Sequence, residues 1–225
     1  MAAPILRKKV NLKPAAELNV MLTTNREQIK LLTLYAYTFR SRAERILWLL
    51  NELSLEHQII RITPSEIKKF NPLGKVPAIE YNGELYTESL AIMEYLVSLT
   101  SRTDLVPFEG KEVYKFRNFI YYLLSEVESY LWVAQQASSL KAFYTWPEGT
   151  YAESILRVTN NIKPLYSQIS SSGYICSCFT IADIYAYHVF TWTQSHGLML
   201  PESVLEYLKN LEKRPSFPIE MKSLA

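Results

Sequence analysis

The strongest chemical signal in the chain is two residue pairs, Val76-Pro77 and Glu88-Ser89, close together and joined through Asn82-Gly83. A residue before proline is pushed toward extended geometry, and a β-branched valine suits that. Proline in a sheet is confined to edges or special turns, and a cis bond is one reason for keeping it there. A cis bond here would turn the Val76 N–H and C=O outward, free to pair with an extended peptide as in strand addition. An ordinary edge-strand proline is the plain alternative. Glu88-Ser89 opens a helix, whose unpaired N–H groups and partial positive charge attract carboxylates. The Ser89 hydroxyl adds a donor, and Glu88 can accept from an ammonium. Simple capping by serine is the plain alternative. Together the two pairs suggest a site for a small, acidic, extended peptide with an amino-acid head.

A second group lies in "YTFRSRAER", residues 37–45. Ser41, Thr38 and Tyr37 each place a hydroxyl at the C-terminal edge of a strand, where ligands gather in α/β sheets. Ser41-Arg42-Ala43-Glu44 also fits the S-x-x-E capping box, which gives Ser41 a structural role instead. A bound thiol near a helix N-terminus ionises more easily. Lowering a thiol pKa from about 8.5 to about 6.5 takes about 2.7 kcal/mol. One neutral hydrogen bond nets only about 1 kcal/mol. A hydroxyl therefore needs help from the helix dipole or from a cation such as Arg42.

The elements that must position these groups fall into two halves. Residues 1–29 form an N-terminal extension without strong patterning. From residue 30 the order is β-α-β-α-β-β-α: strands at 31–37 and 57–62, a helix at 42–53, a short helix after Pro64, a hairpin at Asn82-Gly83, and a helix at 88–98. The leading β-α-β implies a parallel right-handed crossover, and the ending an antiparallel hairpin at the sheet edge. This domain spans 30–98, and a linker spans 99–109. Over 110–225 strand signals vanish, and helices are expected at 111–141, 148–170, 180–195 and 201–212. Pro164 should kink the second of these.

Composition excludes several classes. The 225 residues carry 24 basic and 22 acidic side chains, a net charge of +2, with no clustered basic stripe to suggest nucleic-acid binding. Cys176 and Cys178 are the only cysteines, too few for a disulfide framework or a four-cysteine zinc site. His57, His188 and His196 show no metal-ligand spacing, so no metal is expected. No apolar run approaches the roughly 20 residues of a membrane helix, and residues 1–30 lack a secretory apolar core. A cytoplasmic protein is expected.

The stretches "SRAERILWLLNELSLEHQII", "FNPLGKVPAIEYNGELYTESLAIMEYL" and "FTIADIYAYHVFTW" resemble soluble glutathione transferases, most of all the fungal and bacterial Gtt-like branch. The resemblance runs from residue 31 to about 220. It implies a thioredoxin-like N-terminal domain, an all-α helical-bundle domain and a homodimer. It implies a cis Pro77, with Val76 backbone atoms pairing the cysteinyl unit of glutathione, Glu88 and Ser89 holding the γ-glutamyl head, and Lys75 meeting the glycine carboxylate. Thr180 and Asp183 would form a buried, structural capping box. Glutathione would be the co-substrate, its thiol activated for conjugation to a small hydrophobic electrophile or for peroxide reduction. The electrophile would lie between the domains, with Tyr114 and Tyr121 suggested as pocket walls.

Three departures stand out. No cysteine lies near the first helix, which argues against disulfide reduction by a protein thiol. The catalytic hydroxyl matches neither the serine-type nor the tyrosine-type pattern cleanly; Ser41 is favoured over Tyr37. Ser54 stands where most relatives have glycine, which bears on the turn. A non-catalytic binding or interaction module is the alternative, and a glutathione-dependent isomerase or dehalogenase a third reading.

Overall fold

The computed structural model describes residues 32–222. The extension over 1–29 lies outside the described residues. The first strand, β1 (Leu32–Tyr37), is buried along nearly its whole length, as its apolar run requires of a central strand. Helix α1 (Ala43–Glu52) crosses back to β2 (His57–Ile62), which pairs parallel with β1. A loop with one 3₁₀ turn (Ile67–Lys69) leads to β3 (Ala78–Tyr81) and β4 (Glu84–Thr87). The sheet order is β2-β1-β3-β4, with β3 antiparallel to both neighbours. Asn82 and Gly83 both have positive φ, 58° and 79°, the conformation that lets a two-residue turn follow the strand twist. Helix α2 (Ser89–Ser98) follows directly.

Ser54, just past α1, has φ of 53°. This is the left-handed position where a helix usually ends on glycine, so a serine there strains the turn. The departure noted in the sequence is thus a matter of backbone geometry.

The helical half begins with α3 (Gly110–Tyr122), which runs through a π-helical segment, Leu123–Glu128, into α4 (Ser129–Ala137). Then come α5 (Thr150–Asn161), the short α6 (Lys163–Tyr166), α7 (Ile181–Ser195) and α8 (Glu202–Leu211). The expected helix over 148–170 divides at Ile162. Pro164 cannot donate to the preceding turn, so it sits in the first turn of a new helix. Helix α7 is buried over most of its length and forms the axis of this half.

Helix α1 is buried from Ala43 to Leu50, so it has no solvent face there. One side packs on the sheet and α2. On the other, Trp48 meets the rings of Phe179, Tyr187 and Phe217 from the helical half. At its end Glu52 accepts from Arg102, Arg214 and Ser216. The architecture is a thioredoxin-like domain joined to a helical region through α1.

Candidate functional site

The strand register brings the two sequence signals to one end of the sheet. Tyr35 pairs with Ala78, and Ala78 pairs with Thr87. Val76 lies two residues before Ala78, and Ser89 two residues after Thr87. Tyr37 lies two residues after Tyr35 on the strand antiparallel to β3. All three therefore emerge at the same rim. The Val76-Pro77 bond is cis. Among the described residues, the Val76 N–H and C=O make no backbone hydrogen bond, although the residue is 93% buried by its surroundings, its exposure being 7%.

The start of α2 is similarly open. Ile92 N–H donates to Glu88 C=O, closing the first helical bond. The amides of Ser89, Leu90 and Ala91 donate to no backbone acceptor among the described residues. Glu88 is exposed and has φ of 68° and ψ of 110°. A non-glycine residue held there is strained, and such strain collects at ligand clamps.

The two candidate hydroxyls are already engaged. Ser41 N–H donates to Glu44 Oε2 at 2.6 Å, Ser41 Oγ reaches the same oxygen at 3.2 Å, and Ala43 N–H donates to Ser41 Oγ at 3.3 Å. This is the reciprocal geometry that the S-x-x-E spacing predicts. Tyr37 Oη donates to Gly74 C=O at 2.9 Å, and burial, with Tyr144 adding to it, raises the phenol pKa. Thr38 is exposed.

Beneath the rim lies a charged cluster that the sequence reading named only through Arg42. Arg45 has 0% side-chain exposure; its Nη2 lies 3.0 Å from Glu128 Oε2, and its guanidinium lies 4.0 Å over the Tyr185 ring. Arg42 Nε pairs with the other Glu128 oxygen. Two guanidiniums thus share one carboxylate. Burial pulls the Glu128 carboxyl upward, yet Arg45 and Arg42 outweigh it and hold it below the usual range. Burial, with Arg45, Arg40 and Arg42 adding to it, drives the His188 pKa well down, so His188 stays neutral. Glu128 reaches α1 from the π-helical segment, whose wider turn redirects the side chains that follow. Arg45 has no assigned role in the sequence pattern. The signal was its spacing, three and four residues before Trp48 and Leu49, on the stripe that must be buried.

The cluster leads outward to aromatic residues. Arg42 lies 5.0 Å from the Trp132 ring and 5.2 Å from Trp192. Lys75 is exposed, with Nζ 5.7 Å from the Trp132 centroid. Trp132 in turn meets Tyr144 edge-on at 6.1 Å. Beside Tyr144 opens a cavity of about 350 Å³ lined also by Lys141, Trp146 and Tyr151. Tyr114 and Tyr121 are 74% and 57% exposed. Among the described residues, no hydrogen bond or ring contact joins either to Val76, Ser89 or Ser41.

Thr180 and Asp183 form the capping box at the start of α7, as the resemblance implied. Cys176 is buried in the loop before it, and burial with Asp183 and Glu112 raises its thiol pKa to about 12. Cys178 is exposed. Among the described residues, no group of three or more His, Cys, Asp or Glu side chains converges to hold a metal ion, and no helix is long and apolar enough to cross a membrane.

A thioredoxin-like sheet with an open rim, followed by a helical bundle, defines the fold class of the glutathione transferases. Residues 39–99 match the family model described as glutathione S-transferase, N-terminal domain. Over 133 residues the chain is 30% identical to glutathione S-transferase 3 of Schizosaccharomyces pombe, covering 56% of this chain and 47% of that protein. The chain spans about half the length, or less, of the curated relatives it matches. A glutathione transferase structure from Methylococcus capsulatus superposes with a TM-score of 0.72 at 18% identity, covering 85% of this chain and 97% of that one. A glutathione transferase homologue from Sulfitobacter, with bound glutathione, gives 0.67 at 20% identity, covering 83% and 95%. At such identities the superpositions speak for the fold. The family model thus covers the N-terminal half's residues 39–99, and the superpositions show the glutathione transferase fold over most of the chain.

Proposed function

We propose that this chain binds glutathione at the rim formed by Val76 and Ser89 and activates its thiol for reaction with a hydrophobic electrophile. One observation carries the reading: at one end of the sheet, the main-chain groups of Val76 and the first amides of α2 have no hydrogen-bond partner among the described residues. Buried backbone groups in native proteins are nearly always paired, so an unpaired set at a sheet rim fits an absent extended ligand. The tripeptide's cysteinyl unit would pair with Val76, and its γ-glutamyl head would meet the α2 N-terminus and Glu88. The glycine carboxylate would face Lys75. Glutathione bound in the Sulfitobacter homologue supports the ligand class.

The thiol would then lie toward Tyr37 and the N-terminus of α1. Ser41 and Tyr37 already donate their protons within the protein, so neither is a free donor to a thiolate. Stabilisation falls to the α1 N-terminus and to the surplus positive charge at Arg42 and Arg45. The wall for an electrophile is better supplied by Trp132 and Tyr144 than by Tyr114 and Tyr121, because ring contacts link Trp132 both to Lys75 and to Tyr144.

Titration calorimetry with glutathione, followed by turnover of a chloronitroaromatic, tests the reading. Micromolar to millimolar binding with turnover is expected. No binding overturns it. The engaged hydroxyls favour a second reading, a glutathione-binding module without transferase activity, and binding without turnover would select it. A homodimer and a cytoplasmic location are further parts of the proposal. Sedimentation tests the first, and fractionation of cells producing the full chain tests the second.

A further inference from the structure

Ser89 presents a hydrogen-bonding problem with one solution. Its hydroxyl has one proton and two acceptor positions. Arg45 Nη1, which can only donate, lies 3.4 Å from Ser89 Oγ. Tyr185 Oη lies 2.5 Å from the same oxygen. Tyr185 is 1% exposed, and among the described residues its hydroxyl meets no other acceptor. A buried hydroxyl proton without an acceptor is costly, so Tyr185 donates to Ser89. Both acceptor positions of Ser89 are then filled, and its own proton must point away from Arg45 and Tyr185. Among the described residues no acceptor receives it. Ser89 opens α2, where three backbone amides also meet no backbone acceptor among the described residues.

The charge beneath this point has the matching sign. Arg42 and Arg45 face the single carboxylate of Glu128, which leaves one positive charge uncompensated by that group. Arg45 Nε is buried with no hydrogen-bond partner among the described residues. An acidic group placed at the α2 N-terminus would offset that charge and accept the Ser89 proton together.

We propose that Tyr185 and Arg45 are positioning residues that fix the Ser89 hydroxyl as a donor to the α-carboxylate of the γ-glutamyl head. This rests on the proposed glutathione site. Tyr185 belongs to α7 and Arg45 to α1, so the helical half takes part in holding the acidic head without touching it. Removal of the Tyr185 hydroxyl frees an acceptor position on Ser89 and lets its proton rotate away from the ligand.

Calorimetric titration of the full chain and of Tyr185→Phe, Ser89→Ala and the double variant tests this. The probes are glutathione and γ-aminobutyryl-cysteinyl-glycine, which lacks the α-carboxylate and keeps the amino group. Each single variant is expected to bind glutathione about tenfold more weakly, and the double variant no more than twofold weaker than Ser89→Ala. The truncated tripeptide should bind the parent and Tyr185→Phe equally, an outcome that loss of folded protein would not produce. Unchanged glutathione affinity in Tyr185→Phe, equal weakening of both peptides, or multiplicative losses in the double variant would overturn the inference and leave the glutathione site standing. Failure of the parent to bind glutathione would overturn both.

Discussion

Two buried polar clusters hold this molecule together, and they are finished to different degrees. At the start of α7, Asp183 is closed on every side. Its Oδ1 accepts from Ile175 N–H and Tyr207 Oη, each at 2.8 Å, and its Oδ2 accepts from Thr180 N–H at 2.8 Å. At the junction of α1, α2 and the helical half, Arg45 Nη2 faces Glu128 Oε2 at 3.0 Å, Arg45 Nε has no hydrogen-bond partner among the described residues, and two guanidiniums share one carboxylate. A cluster with every donor and acceptor matched specifies a fold. A cluster left with surplus positive charge under an open helix end fits an anionic visitor. The difference teaches which buried charges to assign to structure and which to ligand binding, a distinction that burial alone does not make.

The largest effect should come from Glu128→Gln. The buried guanidinium of Arg45 and the partly exposed one of Arg42 would lose their anion, and breaking a buried pair costs about 3–5 kcal/mol. Urea unfolding measures it, and a loss under about 1 kcal/mol would mean that the junction tolerates its charges as a surface pair does. Next is Asp183→Ala, which orphans the amides of Ile175 and Thr180. At about 1–3 kcal/mol per buried group, a loss of about 3 kcal/mol is expected. Glutathione affinity per folded molecule should stay within about twofold of the parent, well under 1 kcal/mol. A large affinity loss would erase the contrast between the clusters.

The closed cluster also has a pH signature. Burial pushes the Asp183 carboxyl up to about 6, above the usual 3.8, although four hydrogen bonds pull the other way. The fold therefore favours the neutral acid. That contribution is fully present below the unfolded value and is lost as pH rises through the folded one. Chemical denaturation should show the parent losing stability relative to Asp183→Asn as pH is raised from about 4 to about 6.5. A gap that stays constant would mean that the carboxylate is held charged by its donors.

The smallest stability effect belongs to Ser89→Ala, which leaves the buried Tyr185 hydroxyl proton without its acceptor and should cost about 1–2 kcal/mol. It should also weaken glutathione binding about tenfold, or about 1.4 kcal/mol. Equal affinity in parent and variant would remove Ser89 from the site.

Much of the fold was legible because its signals are local. Asn82-Gly83 demands positive φ at two adjacent residues, and only a tight hairpin uses that. The apolar run of β1 and the stripe of α1 announce a buried strand and a packed helix. Pro164 announces a break, though the break fell as a new helix rather than a kink. The expected helix over 111–141 hid its π-helical segment, because one extra residue in a turn leaves no compositional mark. Of the site, the open rim was legible, since proline and a helix start have fixed backbone consequences. Ser41 was harder: its capping role was visible in the Glu44 spacing, and the structure shows that role filled. Tyr114 and Tyr121 are both exposed, and helical spacing cannot say whether an exposed ring lines a pocket.

The sequence alone determined what depends on neighbours along the chain: the order of elements, the hairpin, the helix caps and the unpaired α2 start. Backbone geometry and local hydrogen bonds need no distant partner. The tertiary structure alone decided that Arg45, Ser89, Glu128 and Tyr185, drawn from four separate elements, share one buried point. Packing sets that convergence, and with it the sign of the charge beneath the rim, because electrostatic surroundings depend on distance through space rather than on separation along the chain.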